Sequence, residues 1–399
     1  MGKQTIKDID VVGKRVLVRV DLNAPLKAGQ ISDDMRIRAA LPTIDHLLQQ
    51  GAAVILMSHL GRPKGERVME MSLSPVAKAL SQLLGREVKM AADCIGDEVG
   101  SEAAGLAAGE VLLLENLRFH AEEERNEESF ARALAALADI YVNDAFGAAH
   151  RAHASTAGLT RFVETAVSGL LMEREIAYLD DALKKPQRPF TAILGGKKIS
   201  GKIEVIEHLL DKVDILLIGG GMSYTFFKAM GLEIGASLLE EDHLTTAERI
   251  MAQAEAKGVE LRLPVDCVVA DGFTADAQTQ IVARDAMPKG WEGVDIGPES
   301  RRMYAEKLSA GGTVVWNGPL GVFEIEPFAH GTLQVAEALV AATRAGALSI
   351  IGGGDTAAAL AQAGLAEGMT HISTGGGASL ECMGGRVLPG VEALVNKED

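Results

Sequence analysis

The sequence predicts an α/β protein of two lobes, each a parallel sheet flanked by helices. Three observations predict it. Short β-branched or leucine-rich runs alternate with longer stretches carrying apolar residues at helical spacing, the pattern of strands joined by helical crossovers. Most runs are continuously apolar rather than alternating, as expected for strands covered on both faces. A chain of 399 residues also exceeds one ordinary core and suits two domains.

Strands are expected at 15–20, 53–57, 111–114 and 140–142, then in a second series at 191–194, 215–218, 259–263, 313–316 and 348–351. Helices fall between them, with apolar periodicity over 36–50, 245–257 and 332–344. Ser74 reads as an N-cap, with Pro75 at the first helical position. A helical stretch over 172–183 ends in Ala182-Leu-Lys-Lys-Pro-Gln-Arg-Pro189, where two prolines and three charges precede a new strand. The domain boundary is therefore expected between 170 and 188. No low-complexity tract or short-period repeat is visible.

Hydrophobic residues make up 47% and charged residues 24%, ordinary for a globular protein. A net charge of −16 argues against general binding to nucleic acid or anionic membrane. With 10 Phe, 4 Tyr and 2 Trp few rings are available to stack on bases. Cys94, Cys267 and Cys382 are far apart and form no CxxC pair, which fits a reducing compartment and neither a disulfide framework nor a zinc site. The N-terminal residues carry no apolar run, and no run reaches the roughly 18 residues of a membrane span. The expectation is a soluble, cytoplasmic protein.

The segment Asp144-Ala-Phe-Gly-Ala-Ala-His-Arg-Ala-His-Ala-Ser155 sets Arg151 among small residues just after a strand end. A guanidinium fork matches phosphate or carboxylate oxygens bidentately. Alone, it reads as a solvated loop arginine with two surface histidines. Four earlier segments repeat the theme: Arg19-Val-Asp-Leu-Asn-Ala-Pro25, Asp34-Met-Arg-Ile37, Ser58-His-Leu-Gly-Arg-Pro63 and Glu115-Asn-Leu-Arg-Phe-His120. The second half adds glycine-rich segments, Gly195-Gly-Lys-Lys-Ile-Ser-Gly-Lys202, Gly219-Gly-Gly-Met-Ser-Tyr-Thr-Phe226 and Trp316-Asn-Gly-Pro-Leu-Gly-Val-Phe-Glu324. Gly352-Gly-Gly-Asp-Thr356 and Ser373-Thr-Gly-Gly-Gly-Ala-Ser379 follow. Several of these come directly after an expected strand, where open α/β sheets bind ligands.

In this order, from about residue 15 to about 395, the segments resemble those of the phosphoglycerate kinases, which move an acyl phosphate onto ADP. The resemblance is to the bacterial type. It implies two Rossmann-like lobes joined by a hinge helix: an N-terminal domain over 1–170 binding 3-phosphoglycerate or 1,3-bisphosphoglycerate, a connecting segment over 171–188, and a nucleotide-binding domain over 189–380. It also implies that a tail from about 381 to 399, opening near Leu388-Pro-Gly-Val391, returns to the first domain. A monomer is expected, with ATP, ADP and the two phosphoglycerates as its partners, no nucleic acid and no membrane.

Such a transfer needs little acid–base help, because its attacking oxygens are already ionised near neutral pH. It needs neutralised charge and in-line alignment, hence arginines, lysines, glycine amides and one metal ligand. The resemblance places Arg36, His59, Arg62, Arg118 and Arg151 in a cradle for the phosphorylated carboxylate. It adds Leu22, Leu60 and Gly61 to the substrate contacts, and Asp21 and Asn23 to hold a hydroxyl. For Asp21 a turn or capping role stays open. His150 and His153 lack a third ligand at a recognisable spacing, so second-shell or phosphate contact is preferred over a metal site.

On the nucleotide side, Gly196-Lys-Lys-Ile-Ser-Gly-Lys202 nearly fits GxxxxGK[ST], but Ile203 has no hydroxyl for magnesium. The resemblance makes Lys198 the lysine that follows the transferring phosphoryl group, with Lys202 on nucleotide phosphates. Lys197 stands where the family usually has a small residue, and Gly201 where it often has Asp or Thr; a glycine in a helix there would cost about 1 kcal/mol. Gly220, Asn317 and Pro319 line the nucleotide pocket, and Glu324 accepts from ribose. Gly353, Gly354 and Thr356 follow the strand at 348–351. Asp355 is the candidate Mg²⁺ ligand through the bound nucleotide, or an N-cap for a helix at 357–363, or both. Gly375 and Gly376 offer amides to the transferring group, and with Arg36 and Lys198 complete the catalytic set. No GxGxxG follows a strand, which counts against a dehydrogenase. A P-loop enzyme would need a hydroxyl at 203, and a scaffold that had lost the chemistry would lack Arg36, Lys198 or Asp355.

Overall fold

In the computed structural model the described residues are 2–27 and 29–397, with Asp180 and Asp181 described by backbone alone. The outer limits of the expected domains, Met1 and Asp399, lie outside them. The first part of the chain forms β1 (Arg15–Arg19), β2 (Leu26–Lys27), β3 (Gln30–Ile31), β4 (Ala53–Met57), β5 (Val88–Met90), β6 (Val111–Leu113), β7 (Ile140–Asn143) and β8 (Thr165–Ser168). Six of these make one sheet in the order β5-β6-β4-β1-β7-β8, parallel throughout. β2 and β3 pair as a small antiparallel hairpin.

Helices α1 (Met35–Gln49), α2 (Ser74–Leu84), α3 (Asp97–Ala104), α4 (Ala121–Glu124), α5 (Glu128–Ala135) and α6 (Leu170–Lys184) follow the strands. The continuous apolar runs have a direct cause. Successive side chains of a strand point to opposite faces, and both faces are covered. Val16, Val18, Val54 and Leu56 pack with Ile37 and Ile44 of α1 and Val76 and Leu80 of α2. Leu17, Ile55 and Tyr141 pack on the other side with Val99, Phe130 and Leu134.

The second part forms β9 (Phe190–Leu194), β10 (Ile215–Ile218), β11 (Glu260–Arg262), β12 (Asp266–Ala270), β13 (Thr279–Ala283), β14 (Glu292–Ile296), β15 (Thr313–Asn317), β16 (Leu348–Gly352) and β17 (His371–Ile372). Its main sheet runs β11-β10-β9-β15-β16-β17 and is parallel. The chain thus winds outward from β9 on one side and from β15 on the other, the dinucleotide-fold order, with its switch point between those two strands. A second, antiparallel sheet has the order β13-β12-β14. Helices are α7 (Ile203–Leu210), α8 (Ser223–Ala229), α9 (Leu244–Lys257), α10 (Pro298–Leu308), α11 (His330–Arg344), α12 (Gly354–Gln362) and α13 (Gly377–Met383).

The chain divides into one unit of Met1–Ala177 with Val387–Asp399 and another of Tyr178–Arg386. The division falls inside α6. In the first unit the returning tail is tied down by backbone bonds: Gly390 N–H donates to Ala149 O at 2.8 Å and Gln4 N–H to Val395 O at 2.9 Å.

The nine expected strands all form, within a residue or so of their expected ends. Those missed are short, or belong to the hairpin and the antiparallel sheet. Three local readings are corrected. Ser74 is not an N-cap: Leu73 holds that position without a side-chain cap, and Pro75 lies in the first turn. The loose amides are satisfied instead by Ser72 Oγ, which accepts from Ser74 N–H at 3.2 Å, and by Glu115 Oε1, which accepts from Leu73 N–H at 2.9 Å. Asp355 does not cap a helix at 357; α12 begins at Gly354, its N-cap is Gly353, and Asp355 lies in its first turn, where the helix dipole favours a carboxylate. Gly201 lies in the turn before α7, so the helical penalty does not arise.

Candidate active site

In the first unit, the loops after β1, β4, β6 and β7 and the start of α1 carry the expected cradle residues at the carboxyl ends of the strands. Arg36, second residue of α1, donates from Nη1 to Asp21 Oδ2 at 3.1 Å and Oδ1 at 3.3 Å. Asp21 Oδ1 also accepts from Asn23 N–H at 3.2 Å, so Asp21 both makes a turn and aims Arg36. Asn23 Oδ1 accepts from Gly61 N–H at 2.9 Å, and Gly61 O accepts from Arg118 Nη1 at 2.9 Å. These contacts link Arg36, Asn23, Gly61 and Arg118 across three loops. Gly61 sits at φ 64°, the left-handed region that glycine adopts without strain.

Arg118 is buried and its Nε lies 3.4 Å from Glu124 Oε1, while Arg151 Nη1 is 4.0 Å from the same oxygen. Arg62 is exposed on the turn after His59. Leu22 and Leu60 are core residues whose N–H groups already donate, to Ser58 Oγ at 2.9 Å and Asn116 Oδ1 at 3.2 Å. They shape the loops and direct no side-chain polarity into them. His59 is 7% exposed. Burial first, then Arg19, Arg118, Arg36 and His153, hold its pKa well below the usual histidine value.

In the second unit, the loops after β9, β10, β15 and β16 meet at the switch point. Gly195 N–H donates to Asn317 O at 3.0 Å, Gly196 N–H to Pro319 O at 2.7 Å and Gly220 N–H to Leu320 O at 3.0 Å. Gly196, Gly220, Gly318 and Gly353 all have φ between 68° and 99°. A Cβ on Gly220 would fall 2.7 Å from both the N and the O of Gly196, so the loops can lie this close only as glycine. They wall a cleft of about 500 Å³ that includes Gly196, Lys197, Gly220, Pro319, Glu324 and Asp355 in its lining.

Lys202 Nζ donates to Asn317 Oδ1, and burial, countered in part by Asp355, lowers its pKa to about 8. Asn317 Nδ2 lies against Gly353, 3.1 Å from where a Cβ would be. Thr356 Oγ1 is committed, accepting from Gly318 N–H at 2.8 Å. Lys198 and Asp355 are exposed. Gly375 and Gly376 precede α13; Gly375 N–H donates to Ser373 Oγ at 3.1 Å, and Gly376 is the N-cap at φ 46°.

Several residues that hold these sites were not singled out from sequence. Glu240 accepts from Ile199 N–H at 2.6 Å, Ser200 N–H at 3.2 Å and Ser200 Oγ at 2.6 Å, fixing the loop that carries Lys197 and Lys198. In sequence it is one of the acids in Glu240-Glu-Asp-His243, which reads as a solvated run. Asp295 lines the cleft, accepts from Gly331 N–H at 2.6 Å, and is pushed by burial to a pKa of about 7. Its signal was a lone acid between apolar residues of a strand.

Among the described residues the one group with metal-ligand spacing is Asp93, Cys94 and His120; His150 and His153 belong to no such group. Asp93 Oδ1 is already bonded to His120 Nε2 at 2.7 Å and Asp93 Oδ2 lies 3.5 Å from Arg67. Burial and Asp93 push the Cys94 thiol well above its usual pKa. A neighbouring guanidinium and an un-ionised thiol both oppose a cation. The group is an ion pair beside a core cysteine.

Arginines gathered at the strand ends of one parallel sheet, and lysines beside a glycine-walled cleft at the switch point of another, fit an α/β phosphotransferase of two units. The chain belongs to the phosphoglycerate kinase family, whose profile matches residues 6–386. It is 57% identical over 396 residues to a phosphoglycerate kinase of Chloroherpeton thalassium, covering 99% of this chain and 100% of that one. Identity to the enzyme of Synechococcus elongatus is 58% over 398 residues, with 99% of each covered. Among solved structures, phosphoglycerate kinase from Coxiella burnetii superposes with a TM-score of 0.89 at 43% identity, covering 98% of each chain. The Pyrococcus horikoshii enzyme gives 0.86 at 34%, covering 99% of this chain and 98% of that one.

Proposed function

We propose that the chain catalyses reversible phosphoryl transfer between 1,3-bisphosphoglycerate and ADP, giving 3-phosphoglycerate and ATP, in glycolysis and gluconeogenesis. The family match across residues 6–386, with both clusters present, carries the reading. In it, Arg36, His59, Arg62, Arg118 and Arg151 hold the phosphate and carboxylate of the glycerate, with Asp21 and Asn23 beside its hydroxyl. Backbone at Leu22, Leu60 and Gly61 completes that surface.

ADP or ATP lies in the glycine-walled cleft. Gly196, Gly220 and Pro319 line it, Asn317, Gly353, Gly354 and Thr356 complete the nucleotide site beside it, Glu324 accepts from ribose, and Lys202 meets phosphate. The exposed Asp355 carboxylate in the first turn of α12 suits Mg²⁺, which needs only one or two protein carboxylates when phosphates supply the rest. Bound there, the ion would neutralise phosphate charge. Lys198 and the amide of Gly376 stabilise the transferring group, with Gly375 held in the turn by Ser373 Oγ, and the group passes in line between two oxygens already ionised.

Net charge −16 and the three dispersed thiols support a cytoplasmic enzyme without nucleic-acid or membrane partners; a monomer rests on the family resemblance alone. No helix among the described residues is long and apolar enough to cross a membrane. The direct test is a coupled assay with 3-phosphoglycerate, ATP and magnesium. ATP-dependent formation of the acyl phosphate is expected; purified, folded protein without it would overturn the reading.

A further inference from the structure

Arg19 ends β1 at the carboxyl edge of the first sheet and is 1% exposed. A charge that deep costs several kcal/mol unless its donors are met, and they are. Nε donates to Ser155 Oγ at 2.8 Å, Nη1 to Val20 O at 2.5 Å, and Nη2 lies 3.0 Å from His59 Nδ1. Ser155 Oγ donates in turn to Glu123 Oε1 at 2.5 Å, so a buried carboxylate balances the guanidinium one hydroxyl away. Tyr141 OH holds the same loop through Ser155 O at 2.8 Å.

A guanidinium has donors only and does not lose its proton. In the Arg19–His59 contact the ring nitrogen must therefore accept. Nδ1 carries no hydrogen, and the neutral ring bears its one hydrogen on Nε2. A second proton is opposed by burial and by the guanidinium charges of Arg19, Arg118 and Arg36; His153, its own pKa lowered to about 3, stays neutral beside it. Glu123 is the acid in this set, and both its oxygens accept from Ser155, N–H at 2.9 Å and Oγ at 2.5 Å.

We propose that Arg19 is a positioning residue that fixes His59 as the neutral Nε2–H tautomer, so that His59 offers the glycerate site a directional donor rather than a charge. The inference rests on the functional reading only for the identity of that ligand. Its consequence is a division of labour: Arg36, Arg118 and Arg151 supply charge that no physiological pH alters, and His59 supplies orientation that is equally indifferent to pH.

The tautomer can be read without substrate. In protein labelled with ¹⁵N-histidine, long-range proton–nitrogen spectra between pH 6 and 8.5 should include a ring of Nε2–H type that does not titrate, distinct from any signal of His153, whose pKa is lowered to about 3. Its loss in His59→Gln assigns it. An Nδ1–H ring, or a His59 that titrates near 6.5, overturns the proposal. A second arm uses shape. Glutamine can place an amide donor near Nε2, whereas asparagine reaches only the Nδ1 position. His59→Gln should keep 3-phosphoglycerate affinity within about threefold and His59→Asn should lose about tenfold, the scale of one hydrogen bond. Equal losses overturn the donor role. A protein inactive in the coupled assay but with an Nε2–H His59 would sink the functional reading and leave the tautomer standing.

Discussion

Lys198 and Lys202 stand four residues apart on one short loop, and their surroundings separate their roles. Lys202 is held by Asn317 and its pKa is lowered to about 8; Lys198 is exposed. In the proposed reading Lys202 meets phosphate, which it can do only as the ammonium. In the free protein it loses that charge as pH rises through about 8, so ADP affinity should fall above pH 8, approaching tenfold per unit. Lys202→Arg, charged throughout, should remove the slope. A flat calorimetric profile from pH 7 to 9 in the parent protein would contradict this. Lys198, with no ground-state role to hold it, should act in the transition state. Lys198→Ala is expected to cut turnover by about 10²–10³-fold with little change in Michaelis constants; normal turnover with a raised constant for ATP would make it a binding lysine. Arg36 is the counterpart on the other lobe. Arg36→Ala gives up a charge-assisted contact of about 1.5–3 kcal/mol, and should lose ten- to hundredfold in 3-phosphoglycerate affinity while ADP titrates normally. Normal binding of both ligands would misplace the cradle.

At the scale of elements, the glycine loops and their supports determine where those lysines point. Glu240 takes three bonds from the loop at 199–200. Glu240→Gln keeps the shape but can match fewer of those donors, so turnover should fall about tenfold with thermal stability nearly unchanged, since the loop lies at the surface; an unaltered turnover would show that the loop holds itself. Residues of this kind mark the limit of what was legible. Arg36, Arg118 and Lys202 stand in motifs whose residue types announce anion chemistry. Glu240 and Asp295 act on backbone far along the chain, and nothing local distinguishes them from surface acids. The fold divides the same way. The strands at 53–57 and 215–218 are apolar on both faces and read directly. β13 is mostly exposed, and β5, β8 and β17 mix polar residues into runs of two to four, Val-Lys-Met, Thr-Ala-Val-Ser and His-Ile, so no continuous apolar run marks them. Ser74 misled because its capping work is done by Glu115, 42 residues from Leu73.

For the whole molecule, the chemistry sets a requirement that neither unit meets alone. In the proposed reading the glycerate is held by residues 21–151 and the nucleotide by residues 196–356, in separate units. Transfer requires the reacting oxygens about 3–3.5 Å apart, and water must be kept from an acyl phosphate while it proceeds. A ligand shifts a conformational equilibrium only through its differential affinity for the two states. Each substrate alone can touch its own unit, so a closed state gains differential contacts only when both are bound. The expected outcome is a radius of gyration, by small-angle scattering, that is smaller with 3-phosphoglycerate and a non-transferable ATP analogue together than with either ligand alone. The backbone positions to absorb the change are the ends of α6, through which the chain passes from one unit to the other, and the turn at Gly376 before α13, where glycine permits large changes in φ. Replacing Gly376, which sits at φ 46°, by alanine should therefore lower turnover while leaving each binary affinity within about threefold. The same radius in all four ligand states would remove the closure step, and would leave the assignments of the two binding sites to stand on their own mutants.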